Sequence, residues 1–247
     1  MILLLLIFIL SLLPYTLLYL WIRSRKKGGD SAYRAICSSA LKRGAFLSLV
    51  LTLVVSSAFY IIEVLLRLSG AGAVTLAIYH SFIVFALAEE LVKYFVLQGV
   101  LRKNSYPYSW LDITSLMIII GIGFGMIEAV FYAAGANAGM MLTRGITAMH
   151  GGYGFIMGYF IGKGRKSGRK RDTFMGILIP VLLHGAYDCG LCDALGQISD
   201  RFAYASLALA TASIVVLIGA IVHIRRAAKN PRYTDSLTVA MPQKYSC

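Results

Sequence analysis

The sequence predicts an all-α fold, a polytopic bundle of transmembrane helices. Its composition is 58% hydrophobic and only 14% charged, with a mean hydropathy of +0.74, values that soluble globular domains do not have. Its apolar stretches reach the ~20 residues that a helix needs to cross a bilayer. We therefore expect one membrane-embedded domain over residues 1–247, with several passes through a cell membrane.

About seven helices follow from the apolar stretches, taken in order along the chain. They cover residues 2–22, 44–67, 74–101, 111–134, 139–162, 174–194 and 202–224. Each stretch is close to spanning length, and the segments between them are too short to hold a second domain.

The basic residues predict the topology of the bundle. The net charge is +13, and 20 of the 24 Lys and Arg residues lie in alternate inter-helix segments and in the tail. Under the positive-inside rule, this pattern places the N-terminus outside and the C-terminus in the cytoplasm. We expect residues 225–247 to form a flexible cytoplasmic tail. The charge marks membrane orientation, so no nucleic-acid partner is expected.

Buried polar residues are the main indication of function. Three of the four glutamates, Glu89, Glu90 and Glu128, lie well inside apolar stretches, away from their ends. A carboxylate there costs several kcal/mol unless it is paired, protonated or facing a water-filled cavity. His150 and His184 lie midway along two further stretches. At ~1.5 Å rise per residue, all five fall near the middle of the bilayer. We therefore expect four helices to converge on one polar cavity.

Spacing supports this convergence, because residues four apart share a helical face. Three such pairs occur: Glu89 with Lys93, Phe124 with Glu128, and His184 with Asp188. Lys93 would offset negative charge, and Phe124 would form an apolar wall. Asp188 would accept a hydrogen bond from one imidazole nitrogen and leave the other for a proton or a metal.

Simpler interpretations exist for each residue taken alone. An intramembrane His often only bonds one helix to another, and a Glu/Lys pair is often structural. Glu63, His80 and His223 lie nearer helix ends, and we expect them to have no polar partner at i±4 and no functional role.

Two other classes of protein also use buried carboxylates and histidines. A proton- or ion-coupled transporter would need them, but the chain has no evident internal repeat or pair of broken helices. A non-catalytic scaffold of the same fold would have no reason to retain two adjacent buried glutamates.

The polar residues resemble the motifs of the PrsW family of intramembrane proteases. That pattern runs E-E-x-x-K, F-x-x-x-E, a mid-helix His and H-x-x-x-D on successive helices. The chain matches it at Glu89-Glu90-Leu-Val-Lys93, Phe124-Gly-Met-Ile-Glu128, His150 and His184-Gly-Ala-Tyr-Asp188. The similarity covers residues 74–194, which we expect to form a four-helix catalytic core. Related CAAX prenyl endoproteases and bacteriocin-processing proteins usually end the second motif in His, so Glu128 fits the PrsW branch.

The resemblance implies hydrolysis of a peptide bond within or beside the membrane. The typical substrate is a single-pass membrane protein, such as a membrane-bound anti-sigma factor. Hydrolysis needs a base for water, a group that stabilises the oxyanion and a proton for the leaving amine. We expect Glu89 to be the base, with Glu90 positioning it or sharing its proton. His150 and His184 would bind a metal or stabilise the oxyanion.

A divalent metal is expected on grounds of charge and ligand type. Two His with a Glu form a ligand set typical of catalytic zinc, and Glu128 would complete it with His150 and His184. If all four carboxyls of the site were ionised, Lys93 and Arg144 would leave a charge of −2 for one cation to cancel. Protonation of two carboxyls would also neutralise the cavity, and a metal-free Glu/His mechanism would then suffice.

Overall fold

The computed structural model describes residues 2–25, 30–103, 105–135, 149–190 and 201–237. Within these residues the chain forms seven long helices and one short one, so the predicted all-α architecture is confirmed. The helices are α1 Ile2–Ser24, α2 Ser31–Leu68, α3 Ala73–Lys103, α4 Trp110–Ala134, α5 Met149–Ser167, α6 Lys170–Gly190, α7 Arg201–Ala227 and α8 Pro231–Thr234.

Five of these helices, α1 to α4 and α6, are long and apolar enough to cross a membrane. Both α2 and α3 contain a π-helical segment, Arg43–Leu47 in α2 and His80–Leu87 in α3. Such segments take an extra residue into each turn and are often found at functional sites. The segment in α3 ends directly before Ala88 and the two glutamates.

The first part of α2 differs from the prediction, because the helix begins at Ser31 rather than near residue 44. Asp30 caps it, since its carboxylate accepts a hydrogen bond of 2.9 Å from the Tyr33 backbone N–H. The residues that follow are amphipathic, with Tyr33 and Cys37 on the buried face. Basic residues expected in a loop therefore lie on a helix, where hydropathy alone does not detect them.

The helix α4 lies at the centre of the molecule. It begins with a capping box, in which the Asp112 backbone N–H donates to Ser109 Oγ and the Ser109 N–H donates to Asp112 Oδ2. Its residues from 110 to 125 are all buried. The helix α5 packs closely on it, since a Cβ atom on Gly154 would lie 2.6 Å from the Met117 carbonyl oxygen. This close approach of the two backbones holds His150 beside α4.

The beginning of the tail packs against the bundle. The Leu237 backbone N–H donates to the Tyr108 carbonyl at 2.9 Å, and the Tyr233 ring lies 4.6 Å from that of Trp110. Residues 228–237 of the predicted tail thus contact the bundle through aromatic packing and backbone pairing, and the flexibility of the tail stays a prediction. Residues 238–247 lie outside the described part of the chain.

Candidate active site

Lys93 lies at the centre of a buried polar cluster on α3. Its side chain is completely enclosed, and its ammonium lies 2.8 Å from Glu90 Oε1 and 3.4 Å from Glu89 Oε2. Glu89 and Glu90 are themselves buried, so both negative charges are offset at short range. The predicted pairing of Glu89 with Lys93 is present, and Glu90 makes the shorter contact.

The same ammonium connects α3 to α5 through His150. Lys93 Nζ lies 3.0 Å from His150 Nδ1, and His150 Nε2 lies 2.7 Å from Glu128 Oε2. A lysine ammonium can only donate, so Nδ1 accepts and Nε2 carries the proton that is donated to Glu128. Tyr132 also donates to Glu128, at 3.1 Å. Both ring nitrogens of His150 are therefore engaged.

His184 reaches the cluster from α6. Its Nδ1 is hydrogen-bonded to Glu90 Oε1 at 3.0 Å. Its Nε2 lies 3.2 Å from Asp188 Oδ2 and 3.9 Å from Glu89 Oε2. The first of these contacts has the distance of an ion pair but not the geometry of a hydrogen bond, so Nε2 stays unsatisfied among the described residues.

Aromatic rings enclose the two imidazoles. Phe124 lies edge-on to His150 with ring centroids 5.0 Å apart, and the Lys93 ammonium lies 4.2 Å from the centre of the Phe124 ring. This is a cation–π contact, and it gives Phe124 a part in the charge balance as well as in the apolar wall. Tyr153 stacks on His184 at 5.1 Å.

The structure brings together eight of the nine candidate site residues singled out in the sequence. Arg144 lies outside the described residues. Two neighbours were missed, Tyr132 beside Glu128 and Tyr153 beside His184. Spacing held a signal for both, since Tyr132 follows Glu128 by four residues and Tyr153 follows His150 by three, each on the same helical face.

The donor set fits a metal ion. Ligand atoms of Glu89, Glu90, His150 and His184 all lie within 4.8 Å of one another, and all four residues are buried. Two buried atoms in this group, Glu90 Oε2 and His184 Nε2, have no hydrogen-bond partner among the described residues. Carboxylate oxygen and imidazole nitrogen are suitable ligands for zinc. Glu128 is outside this compact group and contacts His150 instead.

A small apolar cavity adjoins the cluster between α5, α6 and α7. Its volume is about 50 Å³, and Tyr153, Leu183 and Ala212 are among the residues that line it. The Tyr153 ring is shared between this cavity and the stack on His184. Any group in the cavity would therefore lie next to the cluster.

Another buried carboxylate, that of Glu63, lies away from this cluster. Glu63 of α2 contacts His80 Nδ1 at 2.6 Å and Arg67 Nη2 at 3.1 Å. The expectation that Glu63 has no polar partner at i±4 was wrong, because Arg67 follows it by four residues. The contact with His80 joins two helices and is not readable from spacing within either one.

Comparisons with known proteins agree on one family. The model described as "PrsW family intramembrane metalloprotease" matches residues 36–221. Protease PrsW of Clostridioides difficile (strain 630) is 30% identical over 192 residues, which cover 74% of this chain and 77% of the relative. Protease PrsW of Bacillus subtilis (strain 168) is 28% identical over 155 residues, 59% of this chain and 66% of the relative. No solved structure is significantly similar to the chain.

The helical fold, its membrane-spanning segments and these relatives define the chain as a multi-pass membrane protease. It belongs to the PrsW family of intramembrane metalloproteases. The matched residues include most of α2 and α7 as well as the four central helices.

Proposed function

We propose that the protein hydrolyses a peptide bond of a membrane-bound substrate, with Glu89 as the base that activates water. The observation that carries this proposal is the enclosed group of Glu89, Glu90, His150 and His184 on α3, α5 and α6. Its members are of the types that peptide hydrolysis needs, and their reactive atoms lie within reach of one substrate carbonyl and one water.

Glu89 is better suited to be the base than Glu90. Glu90 Oε1 is shared between Lys93 at 2.8 Å and His184 at 3.0 Å, so Glu90 is held in place by short contacts. Glu89 has longer contacts, 3.4 Å to Lys93 and 3.9 Å to His184 Nε2. Its carboxylate can accept a proton from water and pass it to the leaving amine, while Glu90 keeps Lys93 and His184 in position.

His184 supplies an N–H donor for the developing oxyanion, and His150 is held in place beside it. His184 lies between Glu90 and Asp188, and these carboxylates favour an N–H donor that can stabilise negative charge on the substrate oxygen. His150 is oriented by Lys93 on one side and Glu128 on the other. These contacts fix the ring before substrate arrives, which is the preorganisation that catalysis requires.

Glu89, Glu90, His150 and His184 would hold a divalent metal, and zinc is the ion that these donors suit best. When bound, such an ion supplies Lewis acidity that polarises a carbonyl and makes water a better nucleophile. His150 would have to release Lys93 or Glu128 to ligate. Asp188 would be the partner of His184 with or without the ion, whereas Glu89 would act as the base in the presence of the ion only through the carboxylate oxygen that does not hold it.

The proposed substrate is a single-pass membrane protein, for example an anti-sigma factor. The apolar cavity of about 50 Å³ beside Tyr153 supports a short aliphatic side chain next to the scissile bond. It is much smaller than the ~150 Å³ cavity that accepts a benzene ring. The substrates tested should therefore differ in the residue next to the scissile bond, which would be Gly, Val or Phe.

The test is cleavage of purified single-pass substrates in lipid nanodiscs, followed by mass spectrometry of the products. Glu89→Gln should lower kcat by roughly 10²- to 10⁴-fold, because the amide keeps the volume but removes the base. The test also includes His184→Gln, which removes a histidine of the cluster, and His223→Gln is its matched control. It replaces a histidine of α7 that packs among aromatic rings away from the cluster.

Retention of cleavage in a folded Glu89→Gln protein would exclude Glu89 as the base. If the wild-type protein cleaved none of the substrates but carried ions into liposomes, the site would be assigned to ion transport and not to proteolysis.

A further inference from the structure

Three side-chain hydrogen bonds join α2 to α3, two of them at the π-helical segment and one at Tyr79, the residue directly before it. The Ser56 hydroxyl donates to the Val84 carbonyl at 2.7 Å, and the Tyr79 hydroxyl donates to the Phe59 carbonyl at 3.3 Å. The third is the 2.6 Å contact between Glu63 and His80. The α2 residues 56, 59 and 63 lie on successive turns of one helical face. We call these three contacts between α2 and α3 the polar ladder.

The ladder is placed where the backbone of α3 departs from α-helical geometry. The π-helical segment begins at His80, the residue that Glu63 contacts, and ends at Leu87. The Ala88 N–H is directed to the Phe85 carbonyl, whereas in an α-helix it would pair with Val84. The Ser56 hydroxyl donates to this Val84 carbonyl and helps to satisfy it.

The segment determines which way Glu89 and Glu90 point. An extra residue in each turn rotates every later side chain of a helix relative to an uninterrupted α-helix. Glu89 and Glu90 follow the segment within three residues of its end. Relaxation of the segment would turn both carboxylates away from Lys93 and His184, on which their present contacts depend.

Burial of Glu63 strengthens the ladder at its contact with His80. Glu63 is only 3% exposed, and its other carboxylate oxygen is paired with Arg67 at 3.1 Å. Hydrogen bonds to charged groups are stronger than those between neutral groups, and losing one partner of a buried pair is costly. From the other side, α6 packs on the segment, because Gly185 leaves room for the Phe82 ring where a Cβ would collide with it.

We propose that Ser56, Glu63 and His80 are positioning residues, which hold the π-helical segment in register and so aim Glu89 and Glu90 into the active site. This inference rests on the proposed function for its effect on catalysis. It adds α2 to the working parts of the site, outside the four central helices.

Ser56 offers a matched test, because the neighbouring Ser57 donates within α2, to the Leu53 carbonyl. The full-length protein in nanodiscs would be compared as wild type, Ser56→Ala, Ser57→Ala, Ser56→Thr and Glu63→Gln. Backbone amide hydrogen exchange of peptides covering residues 80–93 reports the segment directly, and it needs no substrate. Cleavage kinetics and the unfolding midpoint Tm complete the set.

For Ser56→Ala and Glu63→Gln we expect faster exchange confined to residues 80–93. We also expect kcat to fall about 10- to 100-fold with little change in KM, since misplacement of a catalytic group by ~1 Å costs up to 10²-fold. Ser57→Ala should show the exchange and kcat of the wild type. Ser56→Thr should retain most of the wild-type kcat, because threonine keeps the hydroxyl.

Unchanged exchange and unchanged kcat in both Ser56→Ala and Glu63→Gln would overturn the inference. Faster exchange throughout the chain together with a lower Tm would also overturn it, because this result would indicate a general structural role for the ladder. If the wild-type protein cleaved no substrate, the proposed function would fail, and local exchange alone would decide whether the ladder holds the segment.

Discussion

At the scale of single residues, Lys93 decides whether the cluster can exist. Its ammonium serves two carboxylates, one imidazole and one aromatic ring within an enclosed space. A buried charge without a partner is far more costly than an exposed one. The site therefore depends on this residue for stability as well as for the position of Glu90.

We expect Lys93→Met to destabilise the protein by about 3–5 kcal/mol, because it leaves Glu89 and Glu90 buried without their cation. For a chain of this size this corresponds to a fall in Tm of roughly 6–20 °C, measurable by thermal unfolding in detergent. Lys163→Met is the control, since Lys163 pairs with Asp172 at 3.1 Å but is 39% exposed. An unchanged Tm for Lys93→Met would show that the ion pair is not buried.

The metal hypothesis is tested at His184, whose Nε2 is unsatisfied among the described residues. We expect the purified wild-type protein to retain about one divalent ion per chain and His184→Gln to lose it, because the buried site would lose an imidazole ligand. Elemental analysis by mass spectrometry gives the stoichiometry without an activity assay. His223→Gln should retain the ion. A metal-free wild-type protein that cleaves substrate would favour the Glu/His mechanism.

At the scale of elements, the packing of α5 on α4 fixes the depth and direction of His150. A Cβ at Gly154 would lie 2.6 Å from the Met117 carbonyl, whereas a Cβ at Gly151 would make ordinary contacts of 3.7 Å. Small residues allow such close backbone contact between membrane helices.

Gly154→Ala is therefore expected to force α4 and α5 apart and to destabilise the protein by about 1–3 kcal/mol. Gly151→Ala should leave Tm nearly unchanged, although the two glycines are only three residues apart on one helix. Thermal unfolding of the two variants side by side measures the difference. Equal Tm values would mean that the two helices have room to separate without cost.

At the scale of the whole molecule, the orientation in the membrane is still a prediction. Basic residues concentrate on one end of the bundle, and Ser167 lies exposed at the α5–α6 connection on that end. The positive-inside rule places this connection in the cytoplasm.

A Ser167→Cys variant, in a background without the native cysteines, should react with a membrane-impermeant thiol reagent only after cells are permeabilised. Mass-shift labelling on gels gives the readout. Reaction in intact cells would show that the bundle has the opposite orientation, and substrate and water would then enter the site from the opposite face of the membrane.

Much of this molecule could be predicted from its sequence. Hydropathy gave the all-α membrane class, and the i,i+4 spacings gave Lys93 and Asp188 as partners within single helices, because such contacts depend only on helical geometry. The motif resemblance pointed to the family that the comparisons established.

Only the tertiary structure decided the contacts between helices. No periodicity reveals that Lys93 reaches His150, that Glu63 pairs with His80 or that Ser56 bonds to Val84. These contacts depend on how far one helix is shifted and rotated against another, which close packing and π-helical turns set. The local pattern in the sequence determined which residues carry the chemistry, and the packing of α2, α5 and α6 around α3 and α4 decided how they meet.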